Sequence, residues 1–317
     1  MKFMTAPVCV FFGSDAICLP ILDALILTPD RLQLRAVVSQ PDRRQGRGKK
    51  ISSNPVAAWA KKNGIELLQP EKPGAELAQW MQQQSTAVAL VMAYGHFLNR
   101  ALRQAPTVGM YNFHASLLPK YRGAAPIEWA IANGERETGV ALMQVVQAMD
   151  AGDVAAVERV EIEPTDAAAA VRRKVGQAVV PLFERCVKAG LMRQELAFSP
   201  QDTAAATHAR KLEKADGLID FTLPVETVYN RIRAFSTWPG SFFDYQSILI
   251  KVGRSEWRQQ QHQLKFGTVL SAGETLSVAV GGGVISFREL QRPGGRLLPA
   301  IEFLRGFSIA PGDLLTD

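Results

Sequence analysis

Hydrophobic and polar residues follow two alternating periods from the start of the chain to about residue 190. Short β-branched or apolar runs are separated by segments whose apolar residues recur at helical spacing, which is the pattern of βαβ units. The predicted strands are Val8–Phe12, Leu34–Ser39, Ile65–Leu68, Ala87–Met92, Gly109–Phe113, Thr138–Val145 and Val154–Glu161. The predicted helices are Ile17–Leu27, Pro55–Asn63, Ala75–Gln84 and Asp166–Leu191. This order predicts an α/β fold with a Rossmann-like, doubly wound, mostly parallel sheet.

The pattern changes after Phe198, where the segment 199–209 is polar and rich in alanine, as linkers often are. Beyond it, short alternating runs separated by Gly and Pro turns predict a small, OB-like β-barrel. Its predicted strands are Phe242–Tyr245, Ile248–Val252, Gly267–Leu270, Leu276–Val280 and Val284–Leu290. A chain of 317 residues also exceeds what one core usually fills. We therefore predict a larger domain at 1–198, a linker at 199–209 and a C-terminal β-barrel domain at 210–317.

Composition narrows the class of protein only modestly. The chain carries 36 Lys and Arg against 30 Asp and Glu, and this net charge of +6 fits a polyanionic partner or none. Its three cysteines form no CxxC pair and its four histidines are scattered, so we expect no metal site. Asp15 and Asp23 interrupt the apolar start, and no stretch is long and apolar enough to span a membrane. We expect a cytoplasmic protein.

The densest polar cluster follows the predicted strand Gly109–Phe113, at the end of the sheet where doubly wound folds bind ligands. Alternation along a strand places Asn112 and His114 on the same side, so both can face one ligand. An amide and a protonated imidazole can together stabilise an oxyanion, which suits acyl transfer. Taken alone, however, a histidine in such a loop is more often structural than catalytic.

A carboxylate completes this candidate site. Asp150 lies in the segment Met149–Asp153, where the next strand should end and the chain must turn. A carboxylate bonded to His114 would fix the tautomer of the imidazole and make the pair a proton shuttle. An aspartate followed closely by glycine is also typical of an ordinary turn, so the residues alone leave both interpretations open.

The stretch Asn112–Pro126 closely resembles the signature of the folate-dependent formyltransferases, and Glu137–Val140 and Met149–Asp153 match the same family in order and approximate spacing. The resemblance implies that Asn112, His114 and Asp150 are catalytic. It also implies a folate pocket formed by Met92, Ala93, Tyr94, Ser116, Leu117, Leu118 and Pro119. The implied formyl donor is 10-formyltetrahydrofolate, released as tetrahydrofolate, with no metal. The run Phe11–Asp15 departs from the family's usual Gly-Thr-Pro turn, which leaves the shape of that loop open.

Two basic segments bear on the acceptor. The arm Gln40–Lys50 resembles a loop that tRNA-directed members of the family insert after the second strand, and its glycines favour flexibility. The implied RNA contacts in the arm are Arg43, Arg44, Arg47, Lys49 and Lys50. Arg47 is matched to the family's acceptor-stem contact. Without the resemblance, such a charge run is more often a solvated loop.

The segment Lys211–Gly240 is also similar to the tRNA-directed members. Its further candidates for RNA contacts are Lys211, Lys214, Arg231 and Arg233. Each of them is equally compatible with an ordinary surface cation. Phe235 and Trp238 are expected in the core.

The resemblance therefore implies an enzyme that formylates the α-amino group of methionyl initiator tRNA during translation initiation. We expect a monomer that binds this tRNA and a reduced folate, and neither DNA nor a membrane. Rival interpretations are a formyltransferase for a sugar-nucleotide amine, a hydrolase that releases formate, and a non-catalytic RNA-binding protein on the same fold. The basic arm argues against the first two, and the intact catalytic trio argues against the third. An NAD-dependent oxidoreductase is disfavoured because no GxGxxG follows the first strand.

Overall fold

The computed structural model describes residues 6–45 and 50–315, with the side chains of Arg44, Gln45 and Lys50 outside that description. The chain divides into two compact units. The first unit comprises Met1–Ala124, Thr138–Glu161 and Arg172–Ala209. The second comprises Ala125–Glu137, Ile162–Val171 and Arg210–Asp317. Neither unit is continuous in sequence, in contrast to the continuous domains that the sequence suggested.

The first unit is built on a seven-stranded sheet within the described residues. The strands of this unit are β1 (Val8–Gly13), β2 (Gln33–Val38), β3 (Arg43–Gln45), β4 (Lys50–Ser52), β5 (Glu66–Leu68), β6 (Thr86–Met92), β7 (Gly109–His114), β8 (Arg122–Gly123), β9 (Glu137–Gln144), β10 (Val154–Glu161) and β11 (His208–Ala209). The large sheet has the order β10-β9-β7-β6-β1-β2-β5, and β9 runs antiparallel to β7. The predicted mostly parallel α/β sheet is confirmed.

Helices follow the strands at the positions that capping residues favour. The α-helices among the described residues are α1 (Leu19–Ile26), α2 (Pro55–Asn63), α3 (Ala75–Gln83), α4 (Arg100–Arg103), α5 (Pro126–Ala132), α6 (Ala168–Lys188), α7 (Val225–Ala234) and α8 (Ala300–Gly306). Helix α2 shows the local logic, because the Asn54 side chain accepts from the Ala57 N–H and Gly64 ends the helix in the left-handed conformation. Within 6–45 and 50–315, no helix is long and apolar enough to cross a membrane.

The sheet interior explains the apolar runs in the sequence. Val10, Phe11 and Phe12 are consecutive and fully buried, as expected for a strand covered on both faces. One face packs Val10 and Phe12 in a core cluster with Met81 of α3. The polar residues of the unit are thereby concentrated in the loops at the strand ends, where the candidate site lies.

The segment 199–209, predicted as a linker, belongs to the first unit. Ser199 and Val154 exchange two backbone hydrogen bonds, each 2.9 Å long. Strand β11 pairs in parallel with β8, next to the predicted site. The polar composition of this segment therefore reflects hydrogen bonds to the unit, and does not mark a free connection.

The second unit contains two four-stranded antiparallel sheets, within the part of the chain described. Its strands are β12 (Phe242–Tyr245), β13 (Ile248–Val252), β14 (Ser255–Gln259), β15 (Val269–Ala272), β16 (Leu276–Val280), β17 (Gly283–Phe287), β18 (Glu289–Gln291) and β19 (Leu298–Pro299). Their orders are β12-β13-β18-β19 and β14-β17-β16-β15. The predicted strand Val284–Leu290 is in fact split between β17 and β18. Strands of both sheets share one apolar core, so the predicted small C-terminal β-domain is confirmed, and its sheets are antiparallel.

Candidate active site

Strand β7 ends in the two polar residues that the sequence singled out. The Asn112 amide nitrogen points at Asp150 Oδ1, 3.5 Å away, and His114 Nδ1 lies 3.5 Å from Asp150 Oδ2. The His114 side chain is 6% exposed and that of Asp150 is 13% exposed. The structure therefore brings the three predicted catalytic residues together in a largely desolvated cluster.

The other ring nitrogen of His114 faces a backbone acceptor. His114 Nε2 lies 2.8 Å from the Tyr121 backbone oxygen, which can only accept, so Nε2 carries a hydrogen. Nδ1 then faces the Asp150 carboxylate at 3.5 Å, which places the two groups where a proton can pass between them.

Asp150 is presented on a tight and unusual turn. Its backbone has φ +51°, a left-handed conformation that non-glycine residues rarely adopt. Its Oδ2 accepts the Gly123 N–H at 2.9 Å. Two residues later, a Cβ built on Gly152 would lie 1.9 Å from the Gln144 carbonyl oxygen, so only glycine fits there. The turn therefore holds a carboxylate against β7 at the expense of ordinary backbone geometry.

The path of the chain to Asp150 differs from the one expected. The sequence placed Asp150 at the end of a strand neighbouring β7. Strand β9 instead runs antiparallel, so its last residue, Gln144, lies opposite Tyr111, three residues before His114. The loop after Gln144 brings Asp150 to His114, and this proximity depends on the loop rather than on strand alignment.

Together these side chains can perform proton transfer and charge stabilisation. An amide nitrogen carries two N–H groups, and in the described chain only one of those of Asn112 is directed at Asp150. The other can donate to an oxygen on which negative charge develops. Both nitrogens of His114 face protein acceptors, so this side chain can act through Asp150 rather than by direct donation to a ligand.

The predicted folate residues at the end of β6 contact the segments that follow β1 and β2. The Met92 carbonyl lies 3.1 Å from Cys18 Sγ, the Ala93 carbonyl accepts from the Ser14 N–H, and the Tyr94 carbonyl accepts from the Gln40 side chain at 2.8 Å. The resulting loop is well anchored. Although Phe11–Asp15 departs from the family pattern, Ser14 within it still donates its N–H to the Ala93 carbonyl, so the segments after β1 and β6 remain in contact.

The predicted folate residues after β7 form a compact turn. Ser116 is fully buried, and its hydroxyl donates to the Lys120 carbonyl at 2.7 Å. Leu117 lies against Gly139, where a Cβ would come 2.6 Å from Leu117 Cδ2. The Leu118–Pro119 peptide is cis. These contacts give Ser116 and Leu117 roles in shaping the turn, and their contact with folate stays a prediction.

The surrounding loops suit an aromatic ligand. Phe97, Val146 and Met149 leave large apolar side chains exposed in the loops after β6 and β9, where an aromatic ligand can contact them. The Tyr94 side chain instead packs in the apolar core against Phe12, and burial raises its pKa to about 12. The polar groups that Tyr94 offers to a ligand are therefore those of its backbone.

The predicted RNA-binding arm has a fixed base. Strands β3 and β4 pair as an antiparallel hairpin, with Arg43 opposite Ser52. Asp42 accepts hydrogen bonds from Gln69, Lys61 and Ser53, and these bonds lower its pKa. The arm is therefore a hairpin at its start rather than a flexible loop throughout. Arg43 is exposed, whereas Arg47 and Lys49 lie outside the described residues, as do the side chains of Arg44 and Lys50.

In the second unit, Lys211 and Lys214 are exposed, as RNA contacts require. Arg233 is buried, and it donates to Asn230 Oδ1 at 3.0 Å and to the Asp166 carbonyl at 2.9 Å. Its suggested part in guiding RNA is therefore wrong, because its guanidinium holds two segments of the unit together. Phe235 is fully buried as expected, but Trp238 is 50% exposed and its predicted place in the core is wrong.

The described residues include no group of three or more His, Cys, Asp or Glu arranged to hold a metal ion. The three cysteines are buried and unpaired, and burial raises the pKa of each thiol. Thiolate chemistry is therefore disfavoured at these positions.

Two family models match this chain. The model described as formyl transferase matches residues 8–185, and the model for the formyl transferase C-terminal domain matches residues 211–308. The chain belongs to the formyltransferase family. This membership confirms the predicted family and the interpretation of the chain as an enzyme that transfers a formyl group.

Relatives in the formyltransferase family align over almost the whole chain. The methionyl-tRNA formyltransferase of Sorangium cellulosum is 40% identical over 313 residues, which is 96% of this chain and 98% of that protein. The methionyl-tRNA formyltransferase of Myxococcus xanthus is 37% identical over 311 residues, covering 98% of each chain.

A solved structure supports the formyltransferase fold. The N-formyltransferase from Helicobacter canadensis, in complex with folinic acid and dTDP-3-aminofucose, superposes with a TM-score of 0.67 at 16% identity. The match covers 90% of this chain and 99% of that chain. At this identity the likeness shows the fold alone.

Sequence reasoning missed several members of the site. Tyr121 and Gly123 lie inside the quoted signature, but it is their backbone groups that hold His114 and Asp150, and residue types carry little information about backbone contacts. Gln201 also contacts the Asp150 turn, from within the segment interpreted as a linker. A single polar residue in a polar stretch gave no signal that could have found it.

Proposed function

We propose that this protein transfers a formyl group from 10-formyltetrahydrofolate to the α-amino group of methionine carried by initiator tRNA. The observation that carries the proposal is the cluster of Asn112, His114 and Asp150, in a chain that aligns over nearly its full length with methionyl-tRNA formyltransferases. An amide donor beside a proton-sharing imidazole and carboxylate is what attack of an amine on a formyl carbon requires.

The folate donor would lie between the loop carrying Tyr94 and the Asp150 turn. The exposed Phe97 and Met149 side chains in these loops fit an aromatic ring such as a pterin. When bound, the donor supplies the formyl carbon. The solved Helicobacter canadensis relative binds folinic acid, which supports a folate at this fold's site.

The protein's own groups then have separate tasks. The N–H of Asn112 that is not directed at Asp150 stabilises negative charge on the formyl oxygen. Asp150 takes the proton that the attacking amine must lose, and His114, fixed by Tyr121, shares the charge of that proton. The proton is returned to the departing folate nitrogen, so no net proton is gained or lost. No nucleophile from the enzyme is needed.

The acceptor tRNA would be held by the arm and by cations of the second unit. The fixed hairpin base at Asp42 and exposed Arg43 support a role for the arm in phosphate contacts. Arg47 is proposed as the acceptor-stem contact on its sequence resemblance. Exposed Lys211 and Lys214 are proposed to add phosphate contacts. We also propose that the protein acts as a monomer, with its C-terminal domain beginning near residue 210.

The test is an acceptor panel with the purified protein and 10-formyltetrahydrofolate labelled in the formyl group. Methionyl initiator tRNA, methionyl elongator tRNA, free methionine and a dTDP-amino sugar are offered separately. We expect label on the initiator tRNA, at a rate well above that on the elongator. Preferred labelling of the sugar, or release of labelled formate alone, would contradict the proposal.

The arm is tested in the same assay. Arg47→Ala should raise KM for initiator tRNA without changing the affinity for a folate analogue, measured by calorimetry. Arg193→Ala is the matched control, because Arg193 is an exposed arginine paired only locally, with Glu195 at 2.7 Å. Equal tRNA kinetics in the two variants would show that the arm is an ordinary solvated loop.

A further inference from the structure

Gln201 lies in the segment that follows Phe198 and is held in place on both sides. Before it, Ser199 and Val154 exchange backbone hydrogen bonds of 2.9 Å. After it, Thr207 accepts from the Arg122 N–H at 2.8 Å and leads into strand β11. The backbone of Gln201 is therefore anchored independently of its side chain.

Both the nitrogen and the oxygen of the Gln201 side-chain amide make hydrogen bonds. Its Nε2 donates to the Asp150 carbonyl at 2.9 Å and to the Gly152 carbonyl at 2.7 Å. Its Oε1 accepts from Arg122 Nε at 3.0 Å and from Arg122 Nη2 at 2.8 Å. An amide has two N–H groups and two lone pairs, and these four contacts match that inventory.

These contacts close a ring around the catalytic carboxylate. Gln201 joins the backbone of Asp150 to the side chain of Arg122, and the next residue, Gly123, donates its N–H to the Asp150 carboxylate. Tyr121, on the other side of Arg122, holds His114 Nε2. Because Asp150 has the disfavoured φ of +51°, the turn depends on such outside contacts to keep its shape.

We propose that Gln201 is a positioning residue for formyl transfer, which fixes the Asp150 turn so that its carboxylate meets His114 and Asn112. This inference rests on the proposed function. Gln201 touches neither reacting group, so its loss should lower kcat and leave KM for both substrates nearly unchanged. Misplacing a catalytic group by about 1 Å can cost up to about a hundredfold in rate, so we expect a loss of at least about tenfold.

Two variants separate the contact of Gln201 with Arg122 from its contacts with the Asp150 and Gly152 carbonyls. Gln201→Leu removes all four hydrogen bonds, whereas Gln201→Glu still accepts from Arg122 but cannot donate to the two carbonyls when ionised. Both should lose kcat. Gln194→Leu is the control, because Gln194 donates to a carbonyl elsewhere in the unit, that of Thr107 at 3.2 Å. Circular dichroism melting identifies any variant that fails to fold, and Gln201→Glu then carries the test in place of Gln201→Leu.

The decisive kinetic measurement is a double-mutant cycle with Asp150→Asn, followed by single-turnover formylation. If Gln201 acts through Asp150, Gln201→Leu should cost at least about tenfold in the wild-type background and less than about twofold in the Asp150→Asn background. Equal losses in both backgrounds, or a change confined to KM, would overturn the proposal.

A measurement that does not depend on catalysis tests the role of Gln201 separately from the proposed function. Nuclear magnetic resonance of protein labelled with 15N-histidine, assigned with His114→Gln, reports the two ring nitrogens of His114. Gln201→Leu should move the Nδ1 signal towards its position in Asp150→Asn. An unmoved signal would refute the positioning role. A wild-type protein that fails to formylate tRNA would contradict the proposed function, and the resonance shift would then decide the role of Gln201 by itself.

Discussion

Replacing Asp150 with Asn tests the candidate site with almost no change in side-chain volume. The Asp150 carboxylate accepts the Gly123 N–H at 2.9 Å, and the nearest ring nitrogen of His114 lies 3.5 Å from it. An asparagine oxygen can still accept from Gly123, but its NH2 group must then face the Asn112 amide, which also directs an N–H there. His114 also loses the carboxylate with which it would exchange a proton.

The substitution should affect stability much less than it affects turnover. A hydrogen bond to a charged group contributes about 1.5 to 3 kcal/mol and a neutral one about 1 kcal/mol, so the free energy of unfolding should fall by about 1 to 2 kcal/mol. Domains are typically stable by about 5 to 15 kcal/mol, so the variant stays folded. Turnover should fall by about a hundredfold or more, equivalent to about 2.7 kcal/mol in the activation barrier.

The assay measures kcat at saturating folate and tRNA beside urea denaturation of the same preparations. Asp23→Asn is the matched control, because Asp23 accepts from Trp59 Nε1 at 2.7 Å, a contact that asparagine can keep, with no contact to the site. If Asp150→Asn retained near-wild-type kcat while remaining folded, the assignment of the proton-sharing pair would be refuted.

Three further predictions follow from single positions. Gly152→Ala should lower kcat at least about tenfold, because its Cβ would lie 1.9 Å from the Gln144 carbonyl and displace the Asp150 turn. Gly273→Ala is the control, because no atom lies within 4 Å of its Cβ, and it should keep wild-type kcat. Equal kcat values in the two variants would contradict this prediction. Asp216→Asn should lower the free energy of unfolding by about 1 to 2 kcal/mol at pH 7, because hydrogen bonds from Arg210 lower the Asp216 pKa. That stabilisation is complete above the unfolded pKa of about 3.9 and is lost as pH falls through the lower folded pKa, so urea titrations of wild type and variant should converge only in that acidic range. Tyr94→Phe should leave the melting temperature unchanged or raise it, since the buried hydroxyl has no partner among the described residues, and a marked fall would show that a partner exists.

Much of the first unit could be predicted from local patterns. Helix α2 has its predicted bounds because Asn54, Pro55 and Gly64 supply cap, first turn and stop within a few residues. Strand β6 is readable because a strand buried on both faces needs a continuous apolar run. The placement of Asn112 and His114 on one side of β7 likewise follows from strand alternation, which is a local property.

Elements without a distinct local pattern were missed. Helix α7 falls in a segment for which no helix was predicted, although its buried Val228 and Ile232 are spaced four residues apart. Strand β14 is polar apart from Trp257, so it lacks the apolar alternation of a typical strand. It is a strand because it pairs with β17. The polar stretch around Gln201 looked like a linker. Polar side chains that bond to solvent in a linker are of the same types as those that bond to protein backbone, as Gln201 does to Asp150.

The sequence by itself determined which residue types are candidates for the site, since Asn112 and His114 stand out by chemistry and strand alternation, and the resemblance to the formyltransferase family adds Asp150. Only the tertiary structure decided how they meet. The antiparallel direction of β9, the left-handed turn at Asp150, and the backbone groups of Tyr121 and Gly123 bring the carboxylate to the imidazole. The physical reason is that each of these contacts joins residues distant in sequence through backbone atoms, which every residue shares, so the local pattern carries no record of them.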